Sequence, residues 1–160
     1  PCEPGGGYHY DMTRTWCLGD APDAAWALYE DVKHAYTQVF DALRIGAQCS
    51  DYQEMVCDYF VGRGHQTARE TPTATSGYIH GLGHGVGYNI HEAPWFRTRA
   101  ASTASDILSP GIVMTVEPGL YYPERDLGVR LEDTFTLHPD GTVDILAPFS
   151  LDLVLPVSKQ

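Results

Sequence analysis

The stretch His80-Gly-Leu-Gly-His84-Gly-Val-Gly-Tyr-Asn-Ile-His91-Glu-Ala-Pro94 constrains the fold of this chain more than any other. Glycines occupy alternate positions from Gly81 to Gly87. Glycine weakens a regular element, because it has no side chain to pack and the most backbone freedom to lose. A run this dense implies that something bulky comes up against the backbone: a metal, a substrate or a neighbouring strand. Three imidazoles, His80, His84 and His91, stand in that run and mark where chemistry is expected. A flexible loop with incidental histidines is the alternative.

Two carboxylates further on sharpen the choice. Glu117 interrupts the apolar segment Val113-Met-Thr-Val-Glu-Pro-Gly119, and Glu132 interrupts Gly128-Val-Arg-Leu-Glu-Asp-Thr134. An ionised glutamate alternating into a buried face is costly unless it is paired or bound to a cation. Together with Asp11 and a histidine, these residues make a coherent ligand set for a metal. Buried salt bridges to Arg14 and Arg130 are the competing explanation, and they account for Glu132 better than for Glu117.

The rest of the chain bounds the class. Its 160 residues suit one domain that buries roughly two-thirds of its unfolded surface. A net charge of -11, with ten Lys and Arg and no basic run, repels a phosphate backbone and argues against nucleic-acid binding. No apolar run reaches the roughly eighteen residues of a membrane span, and no signal peptide opens the chain. Cys2, Cys17, Cys49 and Cys57 form no CxxC pair and read as free thiols of a reducing compartment, which points to the cytoplasm.

Alternation from Tyr8 to Leu18 predicts a strand that carries Asp11. Helical spacing of Trp26, Tyr29, Val32, Tyr36, Val39, Phe40 and Leu43 predicts a helix over 23–45, with Asp23 as N-cap and Gly46 as the stop. Ser50 with Gln53 spells a capping box for a second helix that ends at Gly62 and Gly64. Strands are expected over 112–116, 129–137 and 143–146, the last two joined by a turn at Pro139-Asp140-Gly141. Helices early and antiparallel strands late describe an α+β architecture with helices on one face of a sheet. His9, His34, His65 and His138 match no motif and are expected on the surface or in loops. Trp95 and Phe96 either line a pocket or simply pack.

Four segments, in order, resemble the pita-bread metallopeptidase family, which includes methionine aminopeptidase, Xaa-Pro aminopeptidase and prolidase. They are Asp11-Met-Thr-Arg-Thr15, His80 through Pro94, Val116-Glu117-Pro118-Gly119, and Arg130-Leu-Glu132-Asp133. The resemblance covers nearly the whole chain and implies a site for two divalent ions, manganese foremost, with cobalt, zinc or iron as alternatives. It implies that Asp11 and Glu132 bridge the ions and that His84 and Glu117 bind one of them. Glu117 would accept a proton, and His91 would contact the substrate carbonyl. His80 and Arg130 resemble the proline-specific branch, which implies a peptide substrate with proline at its second position. Arg130 could instead neutralise nearby acids, and His80 could orient a ligand. Family members often form homodimers.

The family also supplies an aspartate on a strand that would lie upstream of Pro1. Glu3 is a poor substitute for it, so a weak second metal site is expected. The chain is accordingly expected to be the carboxy-terminal portion, over 1–160, of a single catalytic domain whose first pseudo-symmetric half is largely missing. Two other functions stay open: a hydrolase or lyase of the same fold acting on a small non-peptide substrate, and a non-catalytic module.

Overall fold

The computed structural model describes residues 6–157, so Cys2 and Glu3 lie outside the described residues. In chain order the elements are β1 (Cys17–Leu18), α1 (Asp23–Ala42), α2 (Cys49–Gly62), β2 (Gly83–Gly85), β3 (Glu92–Phe96), β4 (Val113–Val116) and β5 (Gly119–Tyr122). A 3₁₀ turn at Pro123–Arg125 follows, then β6 (Leu127–Arg130), β7 (Asp133–Leu137), β8 (Val143–Ile145) and β9 (Val154–Leu155). The main sheet is antiparallel throughout, in the order β3-β2-β4-β7-β8. β5 and β6 form a separate hairpin, and β1 pairs in parallel with β9.

The helices bury the faces that their spacing marks out. Val32, Ala35 and Val39 of α1 and Val56 and Phe60 of α2 are fully buried. Phe40 meets Phe135 of β7 edge-on, and Tyr52 meets Phe96 of β3, so aromatic rings tie both helices to the sheet. Trp26 is the exception on the α1 stripe: it lies on the surface, 40% exposed. No helix among the described residues is long and apolar enough to cross a membrane.

Both helix starts differ from the sequence expectation. Pro22 holds the N-cap of α1 and its carbonyl accepts from Ala25 and Trp26, which leaves Asp23 inside the first turn. Gln48, not Ser50, precedes α2. The Gln53 side chain does not reach back to cap the helix; its Oε1 accepts instead from the backbone N–H of Leu82 (2.6 Å) and the Tyr78 hydroxyl (3.2 Å). A buried amide is worth more tying down a loop than repeating a cap that water can supply. α1 also stops before Gly46, because the Tyr52 hydroxyl donates to the Ala42 carbonyl and accepts from the Arg44 N–H.

The expected long strands are interrupted. Between residues 8 and 18 the chain pairs as a strand only at Cys17–Leu18, with isolated bridge residues at His9, whose N–H donates to the Gly87 carbonyl, and at Thr13, which pairs with Glu132. The segment expected over 129–137 breaks at Leu131 and Glu132 into β6 and β7. The turn at Pro139-Asp140-Gly141 does join β7 to β8, with Gly141 at φ +89°.

The glycine run answers its own question. A Cβ on Gly83 would lie 2.2 Å from the Thr115 carbonyl oxygen, and one on Gly85 would lie 2.4 Å from that of Ala93. Neighbouring strands on both sides demand the glycines, and they bring the β2 backbone, with His84 on it, into close contact with β4.

Candidate metal centre

Strand register assembles the site. β4 and β7 pair up to Val116 opposite Asp133, so the next residues along, Glu117 and Glu132, face one another. Like charges directly opposite on neighbouring strands repel, which is a costly arrangement without a cation. Backbone bonds hold each in place. The Glu117 N–H donates to the Leu82 carbonyl (2.7 Å), and the Glu132 N–H donates to the Thr13 carbonyl (3.0 Å). Asp11 lies two residues before Thr13. Its N–H donates to Thr134 Oγ1 (2.9 Å), whose hydroxyl donates back to the Asp11 carbonyl (2.6 Å).

Ligand atoms converge as a result. His84, Glu117 and Glu132 each offer one atom within 4.8 Å of the others, and so do Asp11, His84 and His91, so the two groups share His84. His84 is buried, and with its Nδ1 hydrogen set on the Gly85 carbonyl (3.0 Å) its Nε2 lone pair points into the cluster, 3.5 Å from Glu117 Oε1. Burial, more than the nearby His91, holds its pKa below the ordinary imidazole value.

Burial also pushes Glu117 up to about 8, with the charges of Glu132 and Asp11 adding to it and Arg130 opposing. Glu132 is raised first by burial, while the Thr13 hydroxyl, 2.6 Å from Oε2, works the other way. These are buried carboxylates short of positive charge.

Salt bridges supply that charge only in part, to Glu132 from Arg130 and not from Arg14. Arg14 turns away from the cleft and binds both oxygens of Asp133 (2.9 and 2.8 Å), reaching only the backbone carbonyl of Glu132. Arg130 Nε is 3.7 Å from Glu132 Oε2 and donates instead to Thr13 Oγ1 (3.0 Å). Glu117, Glu132 and the imidazole of His84 make one oxygen-rich donor group suited to a hard divalent cation, and Asp11 stands with His84 and His91 in the other.

The cleft beside this cluster has a volume of ≈ 460 Å³, and His80, His91, Trp95 and Arg130 stand in its wall. His91 is exposed, its ring 4.3 Å from that of His84. His80 bonds the Gly81 carbonyl (2.7 Å) and the Tyr121 hydroxyl (2.9 Å) and orients none of the candidate ligands. Phe96 is fully buried in the core, though it borders the cleft floor.

The architecture and the site now stand together, and sequence comparison agrees with them. The model of metallopeptidase family M24 matches residues 3–139. The chain belongs to that family. A curated relative, the probable dipeptidase PepE of Mycobacterium bovis, is 30% identical over 155 residues, which is 96% of this chain and 37% of the relative. The Xaa-Pro dipeptidase of Pyrococcus furiosus is 31% identical over 134 residues, 84% of this chain and 34% of its own length. Among solved structures, a dipeptidase of Pyrococcus horikoshii superposes with a TM-score of 0.76 at 31% identity, covering 94% of this chain and 38% of that one. The chain therefore spans somewhat over a third of the length of the relatives it matches. Its fold is the pita-bread fold of family M24.

Several neighbours of the site were missed by sequence reasoning. Thr13 links Glu132 to Arg130 through one hydroxyl. Its signal was its place two residues after Asp11. Tyr121 packs its ring where a Cβ on Gly119 would sit, with the hydroxyl only 2.4 Å from that point, and the spacing Glu117-Pro-Gly-Leu-Tyr121 was its only trace. His65, expected on the surface or in a loop, lies in the loop after α2 but is only 13% exposed and bonds Asp31 Oδ2 (2.9 Å) and the Tyr122 hydroxyl. His9 is half-buried, whereas His34 is exposed and stacked on Tyr59.

Proposed function

We propose that this chain forms the metal site of a peptidase that cleaves Xaa-Pro bonds, as an Xaa-Pro aminopeptidase or dipeptidase. Two ligand triads that share His84, one with Glu117 and Glu132 and one with Asp11 and His91, carry this reading. Asp11, His84, Glu117 and Glu132 would hold divalent metal there, with a second ion bound weakly. The oxygen-rich donors favour manganese. A bound divalent ion supplies Lewis acidity, lowering the pKa of a coordinated water and polarising the scissile carbonyl.

The chain's own residues do the rest. Glu117, beside the Nε2 of His84 in the ligand cluster, accepts the proton of the attacking water and passes it to the leaving amine. His91, beside His84 at the exposed lip of the cleft, donates a hydrogen bond to the carbonyl oxygen as charge gathers on it. His80, braced by Tyr121, and Arg130, braced by Thr13, bound the proline side, where the guanidinium takes a carboxylate or the following carbonyl. Relatives named Xaa-Pro dipeptidase and X-Pro aminopeptidase support this specificity.

The test is a panel of Xaa-Pro dipeptides, longer Xaa-Pro peptides and Met-Ala peptides offered to the manganese-loaded protein. Cleavage of the Xaa-Pro bonds with Met-Ala left intact is expected. Equal cleavage of Met-Ala, or no turnover of any peptide with metal bound, would overturn the reading.

A further inference from the structure

A second cavity of ≈ 300 Å³ opens beside the metal cleft, and three residues, His80, Gly81 and Arg97, belong to the walls of both. Its floor is neutral, made by Cys57, Ala68, Tyr78 and Ile79 among others. Its volume falls at the low end of ligand pockets. His80 is thus the ridge between the two spaces, and whatever extends past the proline side of the metal cleft runs over it into this second cavity.

Arg97 is placed to meet that extension. Its guanidinium rests on the Trp95 ring, 4.5 Å from the centroid, and Trp95 lies 6.1 Å from the His84 ring. Trp95 is itself fixed, because its N–H donates to Asp106 Oδ1 (2.9 Å). The remaining oxygen of Asp106 is taken by Thr103 through both N–H and hydroxyl, so Asp106 attracts Arg97 through its charge but makes no direct ion pair with it. Among the described residues Arg97 makes no salt bridge, in contrast to Arg69 on the same cavity, which is held by Glu54 and Asp58. In a chain of net charge -11, an arginine stacked on an aromatic shelf with its guanidinium in no direct ion pair has donors open to an incoming anion. The two steps of 6.1 and 4.5 Å from His84 compare with about 3.3 Å per residue of extended peptide. That is the reach of a group two to three residues from the metal.

We infer that the second cavity receives the residue after the proline and that Arg97 binds a carboxylate on it, which makes peptides of three or more residues the preferred substrates. This rests on the Xaa-Pro reading of the metal site. The carboxylate has two sources, the free C-terminus of a tripeptide or an acidic side chain at the third position.

Kinetics on the metal-loaded protein separate these. The substrates are an Xaa-Pro dipeptide, Xaa-Pro-Ala as free acid and as amide, and Xaa-Pro-Glu and Xaa-Pro-Gln as amides. Arg97→Ala is expected to raise KM roughly 10- to 100-fold for the carboxylate-bearing tripeptide, the worth of one charge-assisted hydrogen bond. Its kcat should hold, as should both constants for the dipeptide and the neutral amides, and Arg97→Lys should recover part of the loss. A penalty on the free acid alone assigns the terminal carboxylate, and a penalty on the Glu amide alone assigns the side chain. An Arg97→Ala variant that loses all substrates equally, or none, overturns the inference while leaving the peptidase reading standing. No turnover of any peptide by the unaltered protein removes both.

Discussion

Glu132 and Asp133 are neighbours in sequence, both buried, both acidic, and they live in opposite electrostatic worlds. Successive residues of an extended chain point to opposite faces. Asp133 turns toward α1, where Arg14 grips both of its oxygens and the Tyr36 hydroxyl donates a third bond. Glu132 turns toward His84 and Glu117, where the protein supplies a threonine hydroxyl at 2.6 Å and the Arg130 guanidinium at 3.7 Å. Asp133 is fully paired within the fold; Glu132 has a longer ion pair to Arg130 and the like charge of Glu117 against it. A buried carboxylate thus signals function when its countercharge falls short, not because it is buried.

The largest effect that would sharpen this contrast is on turnover. Glu117→Gln keeps the shape of the site but removes its proton acceptor, and peptide hydrolysis should fall about 10²- to 10⁴-fold. A steady-state assay on the manganese-loaded protein reads this directly.

Stability should split the neighbouring pair. Asp133→Asn leaves Arg14 buried beside a neutral amide, and chemical denaturation should show a loss of about 3–5 kcal/mol. Glu132→Gln relieves a carboxylate that the metal-free fold holds poorly, so the metal-free protein should change by less than about 1 kcal/mol in either direction. Similar losses at the two positions would erase the contrast.

pH tests the same idea through linkage. The folded pKa of Glu117, about 8, lies above its ordinary value of 4.5, so between the two the folded protein keeps a proton that the unfolded chain has released. Its contribution to stability is full below about pH 4.5 and is lost as pH rises through 8, and Glu132 shifts in the same direction. The melting temperature of the metal-free protein should therefore drop from pH 5 to pH 8.5, by the equivalent of a few kcal/mol. Saturating manganese selects the deprotonated carboxylates and should reverse that slope.

His91 separates ligand from substrate contact. His91→Ala should cut turnover about 10²-fold while manganese affinity holds, and a parallel loss of metal would make it a ligand beside Asp11 and His84. The smallest effect is expected at Thr13. Thr13→Val removes the hydroxyl that holds Glu132 and Arg130 together and should lower stability by about 1 kcal/mol, with a several-fold weaker grip on the metal.

What was legible in the sequence follows from the same logic. His84, Glu117 and Glu132 each break a local rule, a charge in an apolar segment or a histidine among glycines, and broken rules are visible without coordinates, whereas Asp11 stands out only through the family resemblance. The glycines of β2 were legible as close contacts, though not with which strand. Gln53 and Tyr52 were not, because tertiary hydrogen bonds to Leu82, Ala42 and Arg44 override the capping pattern that their neighbours spell. Asp31, His65 and Tyr122 meet across 34 and 57 residues and leave no periodic trace at all.

Calorimetric titration with manganese at pH 7, run in buffers of differing ionisation enthalpy, bears most directly on whether these side chains share an ion. With Glu117 titrating near 8, binding should release about one proton per ion, and Glu132→Gln or Glu117→Gln should weaken affinity at least tenfold. Binding without proton release, at a strength untouched by either substitution, would place the metal elsewhere and contradict the account.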